Sequence, residues 1–173
     1  MTERQPIEAK NLDGYGGEPI PWSDVRDALA APQGPEMIYF LGTIRPDGQP
    51  HAAGIGPSWF DGDFYICASL NSQKIKNLLA NPNCTLSTRV SGFDVTLEGT
   101  ASRVDDPEIL ESVAAIYREG GWPANVEGDA LIAPYSAPSA GPPPWHIFRI
   151  RYTSVVALRL SETGGVMKWR FAD

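Results

Sequence analysis

Phe64-Tyr65-Ile66-Cys67-Ala68, followed closely by Ser72-Gln73-Lys74-Ile75-Lys76-Asn77-Leu78, is the stretch on which the fold turns. Aromatic and β-branched residues make the first run a strand. The second is a short helix with Ser72 at the N-cap and Lys74 in the first turn. A helix start presents unpaired N–H groups and the positive end of the peptide dipole, so it suits an anion. A lysine there opposes the dipole, and a bound phosphate reverses that sign. The same seven residues also suit a solvated lysine on a surface helix.

Downstream, the helix stops before Asn81-Pro82, since a residue preceding proline leaves the helical region. Cys84–Val90 and Phe93–Val104 form two antiparallel strands joined at Ser91-Gly92. Asp105-Asp106-Pro107-Glu108 then opens a helix with an acidic cap and an early proline. Its apolar face carries Ile109, Leu110, Val113, Ile116 and Tyr117. Residues 120–144 are a long Pro/Gly-rich loop, of a length that usually marks a lid or a partner arm. Trp145–Leu160 alternates as a long strand. A Glu162-Thr163-Gly164-Gly165 turn leads to a last strand over residues 166–171.

Upstream, Trp59-Phe60 and Phe64–Ser69 make a hairpin across Asp61-Gly62-Asp63. Met37–Ile44 is a buried strand, Arg45-Pro46-Asp47-Gly48 a turn, and residues 49–57 a strand of small residues. Glycine in a strand marks either close approach of a ligand or a tight bend. The strand is thus a floor for a flat ligand or a bulge in a barrel. Ser23 caps a helix through Val25, Ala28 and Leu29, ended by Pro32 and Gly34. Residues 1–21, polar and rich in glycine and proline, read as a mobile arm.

The expected architecture is mainly β: one domain over residues 22–173, a six- or seven-stranded antiparallel Greek-key barrel with inserted helices. The 173-residue length fits a single domain. A net charge of −7 argues against non-specific nucleic-acid or anionic membrane binding. No apolar run approaches a membrane span, and no signal peptide is visible, so a cytoplasmic location is expected. Cys67 and Cys84 lack metal-like spacing, and His51 and His146 stand apart, so no metal site is expected.

Leu41-Gly42-Thr43-Ile44-Arg45-Pro46-Asp47-Gly48-Gln49-Pro50-His51, Trp59-Phe60-Asp61-Gly62-Asp63-Phe64-Tyr65-Ile66 and Ser72-x-Lys74-x-x-Asn77-Leu78-x-x-Asn81-Pro82 together resemble the pyridoxamine 5′-phosphate oxidase-like split-barrel superfamily. Val95–Ala101 fits the same pattern. The ending Lys168-Trp169-Arg170-Phe171 resembles its flavin/deazaflavin-dependent oxidoreductase branch. The resemblance covers about residues 36–171.

It implies an FMN-binding type of split barrel, and a homodimer holding FMN or the deazaflavin coenzyme F-420 in grooves between protomers. By position, Ser72 and Lys74 hold the cofactor phosphate, with Asn77 as a neighbour. Cys67, Ala68 and Ser69 line the strand end beneath the cofactor. His51 and Ala53 lie on the strand offering backbone contacts to the ring. Trp169 and Arg170 reach the site from either protomer.

The departures from the pattern are informative. The cations of true pyridoxamine-phosphate oxidases along the strand at residues 52–57 are missing, as are their substrate-phosphate residues and their Arg-Leu-Ala-Pro ending. A phosphate substrate loses charge-assisted hydrogen bonds of about 1.5–3 kcal/mol each without them. That chemistry is disfavoured, and the balance tilts toward F-420. The expected activity is hydride transfer between cofactor and a small planar organic substrate. The alternative is a non-catalytic flavin, deazaflavin or haem carrier on the same fold. The proton donor stays open among solvent, Tyr135, His51 and His146.

Overall fold

A computed structural model describes residues 4–32, 38–161 and 164–172. Met37, Gly34 and the Glu162-Thr163 half of the last turn lie outside the described residues. In chain order the elements are β1 (Glu8–Asn11), α1 (Trp22–Ala30), β2 (Tyr39–Ile44), β3 (Pro50–Ile55), β4 (Ser58–Phe60), β5 (Asp63–Ala68) and α2 (Gln73–Ala80). They continue as β6 (Asn83–Val90), β7 (Phe93–Val104), α3 (Pro107–Glu119), β8 (Asn125–Glu127), β9 (Ala130–Ile132), β10 (His146–Arg159) and β11 (Val166–Arg170).

The main sheet is antiparallel, in the order β1-β11-β10-β7-β6-β2-β3, with β5 joining β10 and carrying β4 on its other side. Strand β10 explains the split. One edge pairs with β7 from Ile147 to Arg159. The other pairs with β5 over His146–Ile150 and with β11 over Ser154–Leu158. A strand this long can serve two neighbours on one edge. The register slips between Tyr152 and Ser154 opposite Gly99, a β-bulge. A Cβ at Gly99 would sit 2.6 Å from Tyr152 Cα, so this close approach of backbones needs glycine.

Two clusters of buried side chains follow from the strand patterns. Inside the barrel lie Trp22, Leu41, Phe64, Ile75, Leu86, Tyr152 and Trp169. On the outer side of β5, Tyr65 meets Leu110 and Val113 of α3 together with Leu131 and Ile147. Strand β5 is therefore covered on both faces, which is why its sequence is apolar without alternation. Helix α3 begins as its sequence dictates: Asp106 accepts from the amide of Glu108 at 2.9 Å, and Pro107 takes the first turn. Helix α1 starts a residue before the expected Ser23 cap, with Pro21 at its N-cap.

Part of the segment expected to be a mobile arm forms a strand in the structure. Strand β1 pairs antiparallel with β11 in register Glu8↔Arg170 to Asn11↔Met167. Ile20 is buried beside the barrel core. The pairing is carried by backbone groups of exposed residues, so no apolar pattern announces it. The 120–144 loop likewise contains the β8–β9 hairpin, bridged to Trp145, the residue before β10, by mutual hydrogen bonds of Leu131 and Trp145 at 2.7 and 2.9 Å.

Candidate functional site

Where β5 ends, the chain turns through Ser69–Ser72 into α2. The Ser72 amide and hydroxyl both donate to the Ser69 carbonyl, at 3.0 and 2.8 Å. Ser72 occupies the N-cap, yet its side chain makes no capping bond. The helix's first paired amides are those of Ile75 and Lys76, both on the Ser72 carbonyl. The amides of Gln73 and Lys74 donate to no backbone carbonyl among the described residues.

Lys74 is half-buried, and burial lowers its pKa below the ordinary lysine value. No carboxylate pairs with it among the described residues. A desolvated, uncompensated cation beside two free amides is an electrostatic seat for an anion.

The seat opens into a cleft of about 340 Å³. Cys67, Ala68, Ser69, Ser72 and Lys74 line it from β5 and α2. Gly54, Ile55 and Gly56 line it from the end of β3. A Cβ at either glycine meets nothing within 4 Å, so these glycines border open space and are no packing bend. At residues 54–56 the small-residue strand borders this cleft.

Tyr117, Trp122 and Trp145 give it an aromatic wall, and Tyr117 Oη donates to the Gly56 carbonyl at 3.4 Å. Tyr117 and Trp122 meet edge to face at 5.3 Å between centroids, and Trp122 and Trp145 lie 5.3 Å apart with planes at 60°. The wall is tied down by Trp122 Nε1 donating to the Tyr135 carbonyl at 2.6 Å and Tyr135 Oη donating to the Gly121 carbonyl at 3.2 Å. Burial pushes the Cys67 thiol up to about 12 and raises the Tyr117 phenol, so both stay neutral at physiological pH.

Five of the ten residues expected at the site thus meet in one cleft, and five stand elsewhere within the chain. Asn77 is fully buried, donating to Thr43 Oγ1 at 2.9 Å and accepting from Gln73 Nε2 at 2.7 Å. It pins α2 to β2, which satisfies the amide and removes it from any phosphate. Trp169 is 1 % exposed in the barrel core, its ring 5.5 Å from that of Trp22. Arg170 is exposed on β11, where its carbonyl accepts from the Ile7 amide at 2.8 Å. His51 lies 3.3 Å from Thr43 Oγ1 and faces a different hollow on the outer sheet. Ala53 does not line the cleft either.

The aromatic wall was missed at the sequence level, where tryptophans count first as core anchors. Its signal lay in the long loop, which begins just beyond Tyr117 and ends at Trp145.

No curated protein matches the sequence significantly. Among solved structures, a conserved hypothetical protein from Mycobacterium tuberculosis superposes with a TM-score of 0.58 at 21% identity, covering 81% of this chain and 85% of the other. A pyridoxamine 5′-phosphate oxidase-related, FMN binding protein from Nostoc punctiforme gives 0.56 at 16% identity, covering 79% and 82%. A heme binding protein from Mycobacterium smegmatis gives 0.55 at 17% identity, covering 75% of this chain and 51% of that one. These likenesses are of fold. The family model described as pyridoxamine 5′-phosphate oxidase matches residues 28–158, from the end of α1 to the far end of β10. The chain belongs to the pyridoxamine 5′-phosphate oxidase family of split-barrel proteins.

Proposed function

We propose that the protein is an oxidoreductase that binds a flavin or, in preference, the deazaflavin F-420, and moves a hydride between it and a small planar organic substrate. The carrying observation is Lys74: half-buried, without a carboxylate partner among the described residues, beside the free amides of Gln73 and Lys74 at one end of the cleft. The residues present fit a phosphate-bearing planar cofactor. Lys74 and the α2 amides hold the phosphate, Gly54 admits a ring to backbone distance, Tyr117 bounds the space through its hydrogen bond to the Gly56 carbonyl, and Trp122 and Trp145 supply the rest of the aromatic lining. When bound, the cofactor supplies the hydride chemistry. The protein excludes water with its aromatic wall, and the Cys67 thiol stays protonated beside the ring site.

Residues 52–57 carry no cation, which disfavours pyridoxamine phosphate oxidation and weakens the case for FMN relative to F-420. A haem carrier loses support because His51 faces a different hollow and His146, on the neighbouring compartment, is engaged at Nδ1 by Arg103. The outer sheet face exposes Ile38 (60 %), Phe40 (51 %) and Leu158 (40 %), an apolar patch suited to a second copy of the chain. The protein therefore acts as a homodimer in this reading, and a monomer by light scattering would remove that part of it.

Titration with F-420 and with FMN, followed by quenching of tryptophan fluorescence, tests the cofactor. Micromolar F-420 binding with weak FMN binding is the expected result. The opposite preference would move the protein to FMN, and binding of neither would overturn the reading. Turnover of reduced cofactor with an acceptor separates an enzyme from a carrier.

A further inference from the structure

Beside the cleft lies a second compartment of about 500 Å³, which shares Ser69, Ser72 and Ala140 with it. Leu70 and the Pro142-Pro143-Pro144 run give it apolar walls, and His146 closes one side. The His146 side chain is only 10 % exposed. Its Nδ1 lies 2.9 Å from Arg103 Nη2 and 3.4 Å from the Asp129 carbonyl. Asp129 Oδ1 stands 3.9 Å from the same Nδ1 and would suit a proton there, but a guanidinium can only donate, so the shortest contact assigns Nδ1 as acceptor and the ring proton to Nε2. That Nε2–H has no acceptor among the described residues. Arg103 is itself paired with Asp129 at 2.6 Å, which offsets its charge.

We propose that this compartment is the substrate subsite, and that His146 Nε2–H donates a hydrogen bond to an uncharged oxygen of the substrate, a carbonyl or its equivalent. The inference rests on the cofactor reading above and deepens it. The two neighbouring cavities differ in chemistry. The Lys74 cavity offers an uncompensated cation and suits phosphate. The His146 cavity offers one neutral donor between proline walls and suits a neutral, flat carbonyl compound. Placing an anion there forgoes the charge-assisted bonds available at Lys74. His146 is a substrate-binding residue in this scheme, with Arg103 as the positioning residue that fixes its tautomer.

The test uses the full chain saturated with cofactor, selectively ¹⁵N-labelled at histidine, with N-methylphthalimide as a planar neutral dicarbonyl probe. The free protein should show His146 as the Nε2–H tautomer, and the probe should shift that resonance saturably while His51 stays unmoved. His146→Ala should weaken probe binding about tenfold, the worth of one neutral hydrogen bond. His146→Gln, which places an N–H near the same point, should restore most of it. Cofactor affinity should be the same in all three proteins. An Nδ1–H tautomer, or equal probe binding by His146→Ala, would overturn the proposal. So would weaker cofactor binding in His146→Ala, which would give the compartment to the cofactor's own tail. If neither F-420 nor FMN binds but the probe still shifts His146, the cofactor reading fails and the subsite stands.

Discussion

Arg4 and Asp63 are joined across the bottom of the barrel, Nη1 to Oδ1 at 2.8 Å, and the carboxylate has no solvent exposure. Arg149 holds the other oxygen, its Nε donating to Oδ2 at 2.7 Å. The Arg4 guanidinium also lies 4.6 Å from the centre of the Tyr152 ring, and its Nη2 donates to the Ala172 carbonyl at 2.9 Å. A residue at the start of the chain thus neutralises an acid at the head of β5, the strand that leads to the cleft.

Arg4→Met should lower stability by about 1–3 kcal/mol, because it leaves a buried carboxylate with one of its two cations. Urea denaturation reads this directly. An unchanged midpoint would mean that the Arg4 contact contributes nothing in solution.

Lys74→Met should weaken cofactor binding by roughly 10–100-fold through one lost charge-assisted contact. The sign for the cofactor-free protein is opposite. A folded-state pKa lowered by burial means that the charged lysine opposes folding, a penalty present at neutral pH and relieved as pH rises toward the unfolded value of 10.5. Lys74→Met should therefore melt slightly higher than the parent at pH 7, and the gain should fade at alkaline pH. A lower melting temperature at pH 7 would show that the lysine is stabilised by a partner.

Gly54→Leu should fold with an unchanged melting temperature, since a side chain there enters open space. The same side chain fills the cleft floor, so cofactor binding should fall more than about tenfold. Full binding by this variant would place the ring elsewhere.

Burial holds the Cys67 and Cys84 thiols at about 12 against an ordinary value of 9.0. Folding then favours the protonated form, so stability is intact below about pH 9 and falls as pH climbs toward 12. Both thiols should resist alkylation in the native protein at pH 8 and react on unfolding. Rapid native labelling at Cys67 would contradict its burial and its neutrality beside the ring site.

Much of the barrel could be read from the chain because its strands and helices carry local signals. Pro107 and Asp106 mark the start of α3, Asn81-Pro82 ends α2, and the unalternating run at residues 64–68 marks a strand covered on both faces. What escaped lacks a local signal. Strand β1 docks through backbone groups alone. Asn77 looks like a polar surface residue until the fold brings Thr43 beside it, 34 positions away. Trp122 and Trp145 become a wall only because the intervening hairpin folds back, a relationship between distant positions that periodicity does not encode. The helix start and its first-turn lysine were legible because Ser72 and Lys74 fall within three residues.

Strand β10 also governs how the chain can assemble. It is the shared neighbour of β5, β7 and β11, and it begins some eighty residues after β5 begins. Until residues 146–159 have left the ribosome, β5 has only its short partner β4, and the edge of β7 that β10 later covers is unpaired. During synthesis that exposed edge is open to pairing with other nascent chains. Barrel closure is consequently a late, long-range event, with the slow kinetics that non-local strand pairing imposes.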